Sequence, residues 1–234
     1  MDARLISVII PTYNAGRFIS TALDSVMAQD YRPIEVVVVD DGSTDGTAAI
    51  VKSYAQVRYI YQANQGPAAA RNAGLANSTG ELIAFLDADD YWTPHKLTIQ
   101  SQYLAEHPEL GCVIARWQDF LDGGIERPDW IPESALEKGE GTLGMQVSLV
   151  HRWVFDRIGP LNERYRYGDD LEWFVRVRES GILIGLMPSI LLYRRVHASN
   201  LSQNQRAAAT ARIHILKEHM DRTRRKAAES GAGA

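Results

Sequence analysis

Short apolar runs of β-formers alternate with helix-period stretches through the first half of the chain. Ser7–Ile10 is an apolar run stopped by Pro11. Phe18, Ile19, Ala22, Leu23, Val26 and Met27 recur at helical spacing and predict an amphipathic helix over 16–29. Glu35–Val39 is β-branched without alternation, as expected of a strand buried on both faces. Ser43 is placed to cap a helix running to about Ala55. Arg58–Gln62 predicts a third strand, and Gly66-Pro67 opens a small-residue helix through Ala76, with proline suited to its first turn. Glu81–Leu86 predicts a fourth strand, followed by a helix over 94–106 and a strand at Gly111–Ala115. Alternation on this scale predicts an α/β fold, with parallel strands joined by right-handed crossovers.

The period is lost after Arg116. Residues 117–145 hold seven glycines or prolines and scattered aromatics, which predicts a long functional loop. Helices return over 151–158 and 170–180, the second burying Leu171, Phe174 and Val175. Ile182–Met187 and Ile190–Tyr193 predict two closing strands. Residues 205–227 predict a basic, weakly amphipathic helix, and Ser230–Ala234 a disordered tail. The expected organisation is one domain over 1–204, with halves 1–116 and 117–204, followed by the helix and tail 205–234.

Composition narrows this picture. The net charge of −4 carries no basic excess, which argues against general nucleic-acid binding. Cys112 is the single cysteine, so no intrachain disulfide or Cys-based zinc site is expected. No apolar run approaches the ~20 residues that span a bilayer. The N-terminus enters a strand directly, unlike a secretory signal, and the expected compartment is cytoplasmic. The tail from Arg206 to Lys226 carries seven basic and two acidic residues. It reads as a solvated face, with peripheral contact to an anionic membrane surface as the alternative. Neither G-x-G-x-x-G nor a P-loop occurs.

The candidate chemistry is acidic. Three clusters stand at element ends in a fixed order: Asp40-Asp41-Gly42-Ser43-Thr44-Asp45, Asp87-Ala88-Asp89-Asp90, and Gly168-Asp169-Asp170. Turn chemistry accounts for Gly42, Ser43 and Asp45 but not for adjacent carboxylates leaving a buried strand. One of the two could accept a hydrogen bond from a uracil-like imide. Asp87 and Asp89 are two apart in extended chain, so both carboxylates face one spot. There they could hold Mg²⁺ or Mn²⁺ together with a diphosphate, against a plain reading as a solvated strand end. Asp169 and Glu172 have capping-box spacing, which leaves Asp170 free as a candidate general base. Its place in the first helical turn favours the anion, so no raised pKa is required. Arg71 is either a solvated helix arginine or a phosphate partner. His197 follows Arg194-Arg195, a combination that would suit an anion. Trp117, Phe120 and Trp130 either pin the irregular stretch to the core or offer platforms for sugar faces.

Together these segments resemble the family 2 glycosyltransferases of GT-A fold. The resemblance is carried by Ser7-Val8-Ile9-Ile10-Pro11-Thr12-Tyr13-Asn14, Val39-Asp40-Asp41-Gly42-Ser43-Thr44-Asp45, Asn64-Gln65-Gly66 through Ala70-Arg71-Asn72-Ala73-Gly74, and Phe85-Leu86-Asp87-Ala88-Asp89-Asp90. These cover nearly all of 5–92. Arg157-Ile158-Gly159-Pro160-Leu161-Asn162-Glu163 before Gly168-Asp169-Asp170 is similar more loosely. The resemblance implies a Rossmann-like, mostly parallel sheet flanked by helices. It also implies an inverting enzyme that moves a sugar from a nucleotide-sugar, UDP favoured, to a saccharide, lipid-linked or other hydroxyl acceptor in polysaccharide or glycoconjugate synthesis.

By that resemblance Thr12 and Tyr13 line the base pocket, Asp41 contacts the base, Asp40 supports the pocket, and Pro11 and Asn14 belong to the same nucleotide-binding segment. Arg71 lies near the nucleotide, with Asp87 and Ala88 near the ribose. Asp89 is a ligand of Mn²⁺ or Mg²⁺, with His197 as a second ligand, and Asp170 is the catalytic base. Asp169 stands where the family usually has glutamate, and Leu171-Glu172-Trp173 departs from the tryptophan-first order. With Trp117 and Trp130, Asp169 is an acceptor-side candidate, and 117–150 is the segment expected to choose the acceptor. Two other readings stay open. A sugar nucleotidyltransferase would want a Gly-rich phosphate loop where Pro11-Thr12-Tyr13-Asn14 stands. A non-catalytic nucleotide-sugar-binding protein would have lost Asp170.

Overall fold

The computed structural model describes residues 3–139 and 143–231. In the first half β1 (Ile6–Thr12), β2 (Ile34–Asp40), β3 (Val57–Tyr61) and β4 (Leu82–Phe85) alternate with α1 (Ile19–Met27), α2 (Thr47–Lys52) and α3 (Pro67–Ala76). Then come β5 (Tyr91–Trp92), α4 (Lys96–Glu106), β6 (Leu110–Leu121), α5 (Glu133–Glu137), β7 (Ser148–His151) and α6 (Arg152–Ile158). The chain closes with α7 (Asp169–Glu179), β8 (Leu183–Val196) and α8 (Gln205–Gly231).

The strands form one sheet in the order β3-β2-β1-β4-β7-β6-β8-β5. The first four are parallel, β7 runs antiparallel to both neighbours, β6 and β8 are parallel, and β5 closes the edge antiparallel. Parallel pairing needs cover on both faces, and β2 shows it. Val36 and Val38 join the main core on one side, while Val37 and Val39 pack against Ala70 of α3 on the other. The register sets Thr12 opposite Asp40 and Ile9 opposite Phe85. The carboxyl ends of β1, β2 and β4 therefore share one edge, where open α/β sheets bind ligands.

Helix α3 lies very close to this sheet. A Cβ at Gly74 would collide with the Ile9 side chain. Small residues let the helix approach, which carries Arg71 into the interior.

Several local expectations are corrected. Ser43 does not cap α2, whose N-cap is Gly46. Instead the Ser43 hydroxyl accepts from Asn14 N–H, and its own N–H donates to Asp40. The 117–145 segment is not all loop, because β6 continues to Leu121 alongside β8. Asp119 sits opposite Arg194 and Phe120 opposite Arg195, so cross-strand pairs stabilise a stretch of weak intrinsic strand pattern. Residues 140–142 of that segment lie outside the described residues. The two closing strands are halves of β8, since Ile114 pairs with Leu186 but Arg116 with Ile190. The irregularity contains Pro188, which has no N–H to give a ladder. In α7 the buried apolar residues are Trp173, Phe174 and Val177 rather than Leu171 and Val175. Helix α8 runs on through Gly231, and 232–234 of the expected tail lie outside the described residues. Among the described residues no helix is long and apolar enough to cross a membrane.

Candidate active site

Asp40 and Asp41, at the end of β2, are both buried. Asp40 accepts from Ser43 N–H at 2.8 Å and from the Tyr59 hydroxyl at 2.7 Å. Asp41 Oδ1 accepts from Gln62 Nε2 at 2.7 Å and Gln65 N at 2.9 Å, and Oδ2 from Gly66 N at 2.8 Å. Asp41 thus ties the end of β2 to the start of α3. Next to it, Thr12 Oγ1 is buried without a partner among the described residues, while Tyr13 is 53% exposed. A free hydroxyl beside an open aromatic face suits a planar heterocycle. Asn14, at φ +48°, accepts from Thr44 N–H and fixes the loop after Pro11 against the Asp41–Asp45 turn.

Arg71 is not solvated, and both of its terminal nitrogens are engaged within the protein. Nη2 donates to Asp87 Oδ1 at 2.7 Å and Nη1 to Asp169 Oδ2 at 2.8 Å, while Nε is buried without a partner. Asn72, the next residue, donates to Leu161 O and Glu163 and accepts from Leu161 N–H. Helix α3 therefore grips the 161–169 segment at both ends. The expected capping box does not form, because Gly168 is the N-cap of α7, Asp169 pairs with Arg71, and Glu172 pairs with Arg176.

Asp170 is left outside these pairs and, among the described residues, accepts only the N–H of Leu171. Burial, then the Asp169 charge, push its carboxyl up to about 6, partly offset by Arg71. Helix position alone would favour an ordinary value; burial and the neighbouring carboxylate overrule it. Asp87 also contributes to the shift, so Asp170 sits within electrostatic reach of the β4 strand end. Asp87 itself is raised by burial against the pull of Arg71.

Asp89 meets His197, which the resemblance joins to it as a second ligand, together with Asn200, which it does not. Its Oδ2 lies 2.9 Å from His197 Nε2 and accepts from Asn200 Nδ2 at 3.0 Å. Ser199 stands at the other ring nitrogen, Nδ1. The His197 ring is buried, 4.5 Å from that of Phe18. Asp90 is buried and accepts from Arg195 N–H; burial, then Asp89 and Asp87, hold it well above the ordinary carboxylate range. Ala88 is buried between Asp87 and Asp89.

The donor chemistry of Asp89 and His197, one carboxylate and one imidazole, fits a hard or borderline divalent cation. No group of three or more metal-ligating side chains occurs among the described residues. An ion held by this pair would need its remaining ligands from a substrate or water.

The expected Arg194-Arg195 anion site is not formed. Arg194 grips Asp119 with two nitrogens, and Arg195 pairs with Asp122. Trp117 and Trp130 are not open platforms either. The Arg194 guanidinium lies 5.5 Å from one ring and 5.7 Å from the other. Trp130 also packs on a small core of Ile131, Ala135 and Val196. Nothing in the local pattern around Asn200 and Asp122 distinguishes them, because their partners Asp89 and Arg195 lie far away in sequence.

The model of "Glycosyl transferase family 2" matches residues 7–159. The chain belongs to this family. An uncharacterised glycosyltransferase of Nostoc sp. is 33% identical over 226 residues, covering 88% of this chain and 68% of that protein. The Escherichia coli protein WfaP, a UDP-Glc:α-D-GlcNAc-diphosphoundecaprenol β-1,3-glucosyltransferase, is 30% identical over 91% of this chain and 86% of its own. Among solved structures, the mannosyltransferase PcManGT of Pyrobaculum calidifontis, in complex with GDP-Man and Mn²⁺, matches at TM-score 0.70 and 26% identity. That match covers 96% of this chain, which spans 65% of the solved one. The sheet and its flanking helices are thus those of the GT-A glycosyltransferases.

Proposed function

We propose that this family 2 glycosyltransferase moves a sugar from a nucleoside-diphosphate donor, UDP favoured, to an acceptor hydroxyl with inversion. The observation that carries this reading is the Arg71 bridge. It ties the β4 carboxylate Asp87 to Asp169 and sets the unpaired Asp170 beside the strand ends. Thr12 and Tyr13 would receive the base, and Asp41 would hold the wall of the pocket or share its carboxylate with the base.

Asp170 would take the proton of the acceptor hydroxyl as that oxygen attacks the anomeric carbon. The bond to the diphosphate breaks on the opposite face, and its electrons leave with the diphosphate. A single displacement inverts the configuration. A value near 6 leaves Asp170 ionised at neutral pH yet basic enough to share the proton in the transition state. When bound, Mn²⁺ or Mg²⁺ held by Asp89 and His197 would neutralise charge on the leaving diphosphate. Two relatives support these choices: WfaP, by its name, uses UDP-Glc and a lipid-diphosphate acceptor, and PcManGT was solved with Mn²⁺. A role in polysaccharide or glycoconjugate synthesis, with basic α8 meeting an anionic membrane surface, is consistent with such an acceptor.

The test is calorimetric titration with UDP and GDP, with and without Mn²⁺, followed by donor-hydrolysis assays with the matching nucleotide-sugars. Metal-dependent UDP binding supports the proposal, and tighter GDP binding changes only the donor. No binding of any nucleoside diphosphate overturns it in favour of a non-catalytic member of the fold.

A further inference from the structure

A second concavity lies where the loop before α7 faces α8. It has a volume of about 590 Å³, with Arg164, Tyr165, Arg166 and Tyr167 on one wall and His214 and Lys217 on the other. Tyr165 and Arg166 also line a smaller cavity with Gly66 and Pro67, at the loop that holds Asp41. The same short segment therefore borders the nucleotide side of the molecule and the large cavity. Three residues after Tyr167 stands Asp170.

The charge on these walls is unbalanced. Arg164, Arg166 and Lys217 form no ion pair among the described residues. Of the two acids present, Glu218 is engaged by the Tyr165 hydroxyl and lies 3.8 Å from Arg222. Asp221 is the other acid on this lining, beside Arg164, Arg166 and Lys217. Two guanidinium groups and an ammonium suit phosphate oxygens, and two tyrosine rings give flat, amphipathic faces for a sugar. The position is built rather than accidental, since Asn72 holds the segment at Leu161 and Glu163 and Arg71 holds it at Asp169.

We propose that this cavity seats the acceptor, and that the acceptor end it takes is a sugar carrying a phosphate or diphosphate. The proposal rests on the glycosyl-transfer reading above. It moves acceptor choice from the 117–150 segment to the 163–168 loop and α8. The phosphate could come from a soluble sugar phosphate or from a lipid carrier. On the outer side of α8, Ile213, Leu216 and Met220 are exposed at 64%, 52% and 51%, spaced as one stripe next to Lys217. A lipid chain leaving the cavity would have this stripe to run along.

The test measures binding to the protein saturated with its nucleoside diphosphate and Mn²⁺, so that the donor site is filled. The probes are N-acetylglucosamine, its 1-phosphate, and its diphosphate carrying a short alkyl chain. Both phosphorylated probes are expected to bind at least about tenfold tighter than the neutral sugar. Arg164 and Lys217 are exposed, so the double variant R164Q/K217Q should fold normally. It should lose about tenfold for the phosphorylated probes while nucleotide affinity stays within about twofold. A further gain from the alkyl chain, removed by L216S, assigns the phosphate to a lipid carrier; equal affinities assign it to a soluble sugar phosphate.

Equal binding of neutral and phosphorylated sugars overturns the proposal, as does no binding of either phosphorylated probe. So does unchanged affinity in the double variant. Failure of the glycosyltransferase reading shows separately, as loss of nucleotide binding in the wild type.

Discussion

Arg71 Nη1 donates to Asp169 Oδ2 at 2.8 Å, joining helix α3 to the start of α7 in the interior. The other terminal nitrogen holds Asp87, so one guanidinium bridges two carboxylates from different halves of the chain and offsets one of their two charges. Removing one partner of a buried ion pair leaves uncompensated charge. Arg71→Met should therefore cost about 3–5 kcal/mol of stability, read by urea denaturation. Arg71→Lys keeps the charge but cannot span both carboxylates, and should fall between. A melting curve for Arg71→Met that matches wild type would show that the bridge is not structural.

The raised carboxyl of Asp170 predicts a pH profile. The general base must be ionised, so kcat/KM should rise with pH and level off above an apparent value of about 6. Asp170→Asn should keep donor affinity and lower transfer by roughly 10²–10⁴-fold. A variant that turns over normally would place the base elsewhere.

The Asp89–His197 contact predicts where metal dependence resides. Asp89→Ala should abolish the gain in nucleotide affinity that Mn²⁺ supplies, and His197→Asn should reduce it. Asn200→Ala removes a donor to Asp89 together with the acceptor of the His197 backbone N–H, and should weaken metal affinity by about tenfold through the positioning of both ligands. Titration of each variant with Mn²⁺ at fixed nucleotide decides this; full metal dependence in Asp89→Ala would exclude it as a ligand.

Lys96 predicts an unusual pH response of stability. It is fully buried, with its ammonium 4.3 Å from the Trp92 ring centroid and bonded to Gln100 and Ser148 O. Burial lowers its pKa to about 7. Between there and the ordinary lysine value near 10.4 the unfolded chain binds more protons than the folded one. Stability contributed by this site should rise with pH across that window and be lowest below it. Lys96→Met should remove the slope and raise stability at neutral pH by an amount on the order of a few kcal/mol. Equal slopes in the two proteins, by thermal unfolding from pH 7 to 10, would refute a neutral Lys96.

Local pattern was enough for the existence of β1 to β4, for α1 and α3, and for the order of the acidic clusters, although Pro11 does not stop β1, which runs on to Thr12. Each of these is written in residues a few positions apart, where strand or helix periodicity and turn chemistry act. The apolar run Val36–Val39 has to be a strand covered on both faces, whatever lies around it. What the clusters touch is a different kind of fact. Arg71 and Asp169 are 98 residues apart, and Asp89 and His197 are 108 apart. Only the close approach of α3 to β1, and of β8 to the end of β4, decides those partners. The same holds for β6 beyond Arg116, whose strand form comes from the cross-strand partners on β8 rather than from its own residues. It holds too for the carboxyl of Asp170, which local helix position would leave ordinary. Burial and the neighbouring Asp169 raise it, because desolvation depends on everything the fold packs around a group.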